Sequence, residues 1–174
     1  MANCFAAARR PLRLSGSGAL ASYRDALDRR ADAVVAAMAT READALLERV
    51  GVGEISKLIA LYKSGGNEAN DENTRGGRVR TRLRDDPALS LASVGAALDA
   101  LVDAVGAADD PAPSFDAVRD PKRRADARRA YAGAIVEAFT TAYAALLDPS
   151  NGYGDARGAM RHGPNALSTL LGGV

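Results

Sequence analysis

Apolar positions along this chain recur at helical spacing. Between Ala19 and Val50, Leu20, Tyr23, Leu27, Ala31, Val34, Met38, Ala45 and Leu46 follow one another at three- and four-residue steps, with a gap near Arg41–Glu42. That spacing lines one face of a long helix. Ser17 is placed to cap its start, and Gly51 stands where a left-handed C-terminal cap is expected. A shorter helix follows from Glu54 to Lys63, with Ile55, Leu58, Ile59 and Tyr62 on one side, and Gly65-Gly66 stops it. A third runs from Leu91 to Val105, beginning near Ser90 and ending at Gly106. Asp120 and Pro121 form an N-cap and first-turn pair for a fourth, which continues to Leu147 with Tyr131, Ala134, Ile135, Ala138, Tyr143 and Leu146 toward a core. Pro149 ends it. A last short helix is expected from Pro164 to Leu171. No period-two run of β-branched residues appears, so the pattern predicts an all-α bundle of four to five helices.

Residues 64–86, "SGGNEANDENTRGGRVRTRLRDD", break the pattern with four glycines, many polar residues and few apolar ones. They predict a flexible linker. The expected organisation is therefore N-terminal helices over 1–63, the linker over 64–86 and C-terminal helices over 87–174. "DDPAPS" at 109–114 is a second loop.

Composition refines this picture. Alanine, leucine and valine supply most of the 47% hydrophobic content, aromatics are 5% and tryptophan is absent. Alanine is the best helix former, and so few rings predict a thin, alanine-lined core with closely approaching helices. Twenty-three basic residues nearly cancel twenty-two acidic ones, leaving +1. A nucleic-acid binder normally shows a clear basic excess, so none is expected here. Cys4 is the single cysteine, which rules out an intramolecular disulfide and fits a reducing compartment. No continuous apolar run approaches the ~20 residues of a membrane-crossing helix. The start, "MANCFAAARRPL", places its charges after the apolar stretch, the reverse of a signal peptide.

Candidate chemistries fail on spacing. Asp148 to Asp155 superficially resembles a calcium loop, but Tyr153 occupies the position that needs glycine and Ala159 the position that needs a bidentate acid. "GVG" at 51–53 has Ser56 where a dinucleotide fingerprint needs its third glycine, and it follows a helix rather than a strand. It reads as a joint between two helices. His162, the single histidine, has no cysteines or carboxylate cluster nearby to build a zinc site. Cys4 reads as a small core residue. The arginines at 78, 80, 82 and 84 alternate within the linker, a pattern open to phosphate or anionic lipid but expected to be solvated; Lys122, Arg123, Arg124, Arg128 and Arg129 early in the fourth helix are open to a partner's acidic patch but are expected to be solvent-exposed. No catalytic, cofactor-binding or metal-binding residue is expected, and no cofactor.

The segment "AYAALLDPSNGYGDARGAMRHGPNALSTLLG" resembles the closing segment of the family of subunit 6 of the conserved oligomeric Golgi complex. There a long helix ends in an Asp/Asn-Pro, Asn and Tyr turn, followed by a spaced acid, an Arg/His stretch and a short helix closing on Thr-Leu-Leu. "NCFAAARRPL", "LLERVGV" and "FDAVRDPKRR" fall in the matching order, so the resemblance spans essentially the whole chain, with 64–86 matching least. The family-signature structural residues it implies are Asp148, Pro149, Asn151, Gly152, Tyr153, Leu170 and Leu171. Gly163 departs from the proline or serine common in the family. Members are several hundred residues long, and Met1 lies inside what resembles a helix of their C-terminal region. The chain is thus expected to be a C-terminal fragment or shortened gene product without the N-terminal coiled-coil assembly segment.

The resemblance implies an elongated helical bundle of the multisubunit tethering-complex type. It implies a non-enzymatic tethering subunit on the cytosolic face of the Golgi membrane, peripherally attached, acting in retrograde intra-Golgi vesicle transport. The implied partners are the other subunits of the complex, with SNAREs and Rab proteins beside them. A free-standing helical interaction module, or an uncharacterised enzyme, is the rival reading. A tether fragment should leave an unfinished apolar face near residues 1–12, which a self-contained domain would cover.

Overall fold

The computed structural model describes residues 3–4, 21–65, 82–107 and 113–172. Among them are five α-helices: α1 (Ala21–Arg49), α2 (Val52–Gly65), α3 (Leu91–Gly106), α4 (Pro121–Leu147) and α5 (Pro164–Leu170). Short 3-10 turns lie at Leu83–Asp85, Pro87–Leu89, Pro113–Ala117, Pro149–Asn151 and Arg157–Ala159, and no strand occurs among the described residues. The all-α expectation holds. The face expected to be unfinished at residues 1–12 lies outside the described residues, apart from Asn3 and Cys4.

The buried line of α1 is simpler than the expected one. Leu27, Ala31, Val35, Ala39 and Ala43 are buried at four-residue steps, closing on Leu46 and Leu47, whereas Tyr23 is 57% exposed and Ala45 is exposed. Each four-residue step turns the line by about 40° around the helix, so a fixed face cannot follow it. The gap at Arg41–Glu42 is filled by Ala39 and Ala43, both fully buried. Beyond Val50, Gly51 takes φ 84°, and its amide donates to the Glu48 carbonyl at 3.1 Å, the left-handed ending that glycine permits without strain.

Two compact units partition the chain, one formed by Met1–Ala43 and Asp110–Ala134, the other by Asp44–Asp109 and Ile135–Val174. Both draw on segments before and after residues 64–86. In the first, Phe115 is fully buried with its ring edge-on to Tyr131, centroids 5.8 Å apart, and Val118, Ala127 and Ala132 complete that side of the core. In the second, α3 buries Val94, Leu98, Leu101, Val102 and Val105, and α4 contributes Ile135, Phe139, Ala142 and Leu146. Phe139 stacks on Tyr143 with centroids 6.0 Å apart.

By length and composition alone, Pro121–Leu147 is long and apolar enough to cross a membrane, although no unbroken apolar run announces it. Its small residues and Glu137 dilute the signal. The buried positions Tyr131, Ile135, Phe139, Ala142 and Leu146 recur at three- and four-residue steps, the stripe of a helix packed against protein on one side.

The greater part of the expected linker, residues 66–81, lies outside the described residues, as do Arg78 and Arg80. Residues 82–86 do not behave as linker. The turn Leu83–Asp85 buries Leu83, and Asp86 caps the next turn, accepting the Ala88 amide at 2.9 Å, with Leu89 fully buried. Two leucines separated by five polar or small positions were too sparse to register as a periodic element, yet both reach the core.

Candidate functional site: the Asp148–Tyr153 turn

The turn that ends α4 is built by reciprocal capping. Pro149 cannot continue the helix. Asp148 instead caps a 3-10 turn, its Oδ1 accepting the Ser150 amide at 2.9 Å and the Ser150 hydroxyl at 2.7 Å. Those bonds, the hydroxyl's first, hold the Asp148 carboxyl below the usual carboxylate range. Asn151 Nδ2 reaches back to the Ala145 carbonyl at 2.8 Å, satisfying one of the acceptors that a helix C-terminus leaves open. Gly152 then takes φ 83°, a left-handed angle costly to any residue with a Cβ.

The turn is docked against residues 82–89. Arg84 Nη1 donates to the Gly152 carbonyl at 2.9 Å. A Cβ on Gly152 would lie 3.0 Å from the Cδ atoms of both Arg82 and Arg84, so a larger residue would also require those side chains to give way. The half-buried Tyr153 donates its hydroxyl to the Leu89 carbonyl at 2.6 Å. Burial, then the nearby Asp86 carboxylate, push the Tyr153 phenol up to about 12. On the same side, Tyr62 donates to Asp86 Oδ2 at 3.3 Å. Every polar group in this cluster that has a partner uses it for capping or docking. The ring of Tyr153 is thus half-buried with its hydroxyl on a backbone carbonyl. Arg84 is exposed, as expected, and also clamps the turn.

The expected terminal helix is present but buries a single leucine fully. Leu167 is fully buried, but Leu170 is 48% exposed and Leu171 only partly covered, so the three leucines do not form one buried face. The helix packs chiefly on α3, where Leu170 Cδ1 lies 3.8 Å from the site of a Cβ on Gly106. Seven residues give only two turns, and positions 167 and 170 point about 60° apart around it. Gly163 supplies no side-chain cap, and Pro164 alone sets the start.

Other readings are corrected in the first unit. Cys4 is exposed; the neighbouring Asn3 makes the contact instead, donating to the Ala117 carbonyl at 2.9 Å and accepting the Arg119 amide at 3.2 Å. Successive helical residues diverge by about 100°, so Cys4 faces away. Arg123, expected to be solvated, is 8% exposed. Its guanidinium donates to Asp28 and Asp32, both at 2.8 Å, and to Asp120 at 3.4 Å. Burial opposes its charge, but the hydrogen bonds to Asp32 and Asp28 outweigh that and raise its pKa. Arg124 donates twice to the Val118 carbonyl, at 3.0 and 2.9 Å, and Arg128 pairs with Asp116 at 3.3 Å. The overlooked signal is Asp28 and Asp32, four residues apart beside the Leu27–Ala31 stripe. Among the described residues no group of three or more His, Cys, Asp or Glu is placed to hold a metal ion.

Comparison with protein families matches residues 1–171 to the C-terminal region of conserved oligomeric Golgi complex subunit 6. The chain belongs to that family. Conserved oligomeric Golgi complex subunit 6 of Arabidopsis thaliana is 28% identical over 131 residues, covering 75% of this chain and 17% of the relative. The chain thus spans about a sixth of that relative's length. No solved structure matches it. Within this family member, the Asp148–Tyr153 turn joins α4 to the segment that closes the second unit.

Proposed function

We propose that the chain is the C-terminal region of a non-enzymatic subunit of the conserved oligomeric Golgi tethering complex. It acts in retrograde intra-Golgi vesicle transport at the cytoplasmic face of the Golgi membrane. Its partners are the other subunits of the complex, with SNAREs and Rab proteins at the vesicle interface. The observation that carries this reading is the family match over residues 1–171. The helices offer packing surface, and among the described residues Arg84, Arg123, Asp148 and Asn151 are engaged in caps and clamps. Asp148, Pro149, Asn151, Gly152 and Tyr153 serve this function structurally by fixing the return of the chain after α4, with Leu170 and Leu171 on the closing helix.

A chimera tests the proposal. The chain replaces the corresponding C-terminal region of the Arabidopsis subunit in cells lacking that subunit. The chimera is expected to co-purify with the remaining subunits, to fractionate with Golgi membranes and to restore the distribution of Golgi glycosylation enzymes. A chimera that accumulates as a folded protein but does none of these refutes the reading.

A further inference from the structure

The near-zero total charge of this chain conceals a division. The first unit holds thirteen lysines and arginines against eight acids, a net +5, and the second holds ten against fourteen, a net −4. Five of the eight acids in the first unit are engaged by four of its own arginines. Asp28, Asp32 and Asp120 close on Arg123. Asp116 holds Arg124 and Arg128, and Asp126 holds Arg129. Among the described residues Arg29, Arg30, Arg41, Arg119 and Lys122 make no ion pair, and all five are exposed.

Helix α1 gathers three of these cations. Its core line runs through Leu27, Ala31, Val35, Ala39 and Ala43. Arg29, Ala33, Ala37 and Arg41 each follow a member of that line by two positions, about 200° round the helix, and so face away from the core. All four are exposed, and Arg30 stands at the edge of the same face. The arginines at 29 and 41 are about 18 Å apart along the helix axis, with only alanine in line between them. Asp25 lies one turn earlier, while Asp28 and Asp32 are a quarter turn round, on Arg123. Through those two contacts Arg123 draws the start of α4 against this stretch of α1, so Arg119 and Lys122 stand beside its Arg29–Arg30 end.

We propose that this outward face of α1, with Arg119 and Lys122, lies on an anionic phospholipid surface. Its composition argues against an acidic protein as the occupant. Protein interfaces are anchored by aromatic and large apolar side chains buried at their centre, and this face offers alanine methyls. Tyr23, the exposed large hydrophobic among this unit's described residues, stands one turn before Leu27 on the core line instead. A bilayer needs neither anchor nor pocket. Its headgroups present a dense array of phosphates, which guanidinium groups pair in bidentate fashion. Each basic residue near such a surface raises affinity about five-fold. The negative second unit is repelled by the same surface, so the division of charge also selects which unit faces it. This contact rests on the charge of the first unit rather than on family membership, and vesicle binding can fail while assembly with other subunits survives.

Flotation of the purified full chain with lipid vesicles is the test. At low salt the chain is expected to float with vesicles of phosphatidylcholine and phosphatidylserine, to stay behind with phosphatidylcholine alone, and to be released as salt rises. Arg29→Gln, Arg30→Gln and Arg41→Gln together should leave the melting curve unchanged, because these side chains make no ion pair, and should weaken binding at least about ten-fold. Lys63→Gln, Arg157→Gln and Arg161→Gln remove the same charge from the second unit and should weaken it less than about two-fold. Equal flotation with both kinds of vesicle, absence of flotation, or equal weakening by the two triple variants overturns the proposal. So does a polyglutamate peptide that the chain binds more tightly than it binds the anionic vesicles, because the face would then be a site for an acidic protein.

Discussion

Tyr153→Phe isolates the contact that docks the Asp148–Tyr153 turn. The substitution keeps the ring and its packing and removes only the hydroxyl that donates to Leu89 O at 2.6 Å. A hydrogen bond of this kind contributes roughly 0.5–1.5 kcal/mol net, and a buried acceptor left without its partner costs roughly 1–3 kcal/mol. Leu89 is fully buried while Tyr153 is half-exposed, so water replaces the lost donor in part and the expected destabilisation is about 1–2 kcal/mol. In a domain of this length each kcal/mol moves the melting temperature by roughly 2–4 °C, so Tyr153→Phe should melt about 3–6 °C lower. Thermal unfolding followed by circular dichroism measures the shift, and a urea titration should show a lower midpoint with an unchanged slope. The two proteins should also differ in alkali. With the phenol held at about 12 in the folded chain, against about 10 when unfolded, its contribution is complete below the unfolded value. It is lost as pH rises from about 10 through 12, so the advantage of the parent chain narrows across that window. A Tyr153→Phe protein that melts within about 1 °C of the parent refutes the argument, because the hydroxyl would then contribute less than any net hydrogen bond.

Arg123→Met should cost about 2 kcal/mol: breaking a buried ion pair typically costs more, roughly 3–5, but Asp32 and Asp120 remain partly solvated. Urea unfolding decides it, and a variant as stable as the parent would show the three carboxylates do not need the guanidinium. Leu167→Ala should lose roughly 2–5 kcal/mol, whereas Leu170→Ala should stay within about 0.5 kcal/mol. Similar losses at both positions would contradict the exposure difference between them. Gly152→Ala should cost at least roughly 1–2 kcal/mol for the left-handed backbone, and more if the Arg82 and Arg84 side chains cannot move aside. A neutral result in chemical denaturation would mean that the turn relaxes to another conformation.

Local chemistry made much of this protein legible in its sequence. Asp120-Pro121 was readable as a helix start, and among the described residues the Asp-Pro pairs at 86 and 148 open turns in the same way, each aspartate accepting a backbone amide just beyond the proline. Capping by Ser90, the left-handed glycine at 51 and the spacing of α1 to α4 are likewise decided within a few residues, where propensity and periodicity act. The Asp148–Tyr153 turn was readable for the same reason, and it anchored the family resemblance. Tertiary structure alone decided what each residue meets across the chain. Arg123 looked like one of several solvated cations until Asp28 and Asp32, more than ninety positions earlier, closed on it. Arg84 looked like linker until the Gly152 carbonyl, 68 residues later, gave it a partner. Alanine carried the same ambiguity, because Ala39 and Ala43 are core while Ala45 and Ala96 are surface. A methyl group is too small for its own hydrophobicity to choose a side, so the larger neighbours that pack against it make the choice.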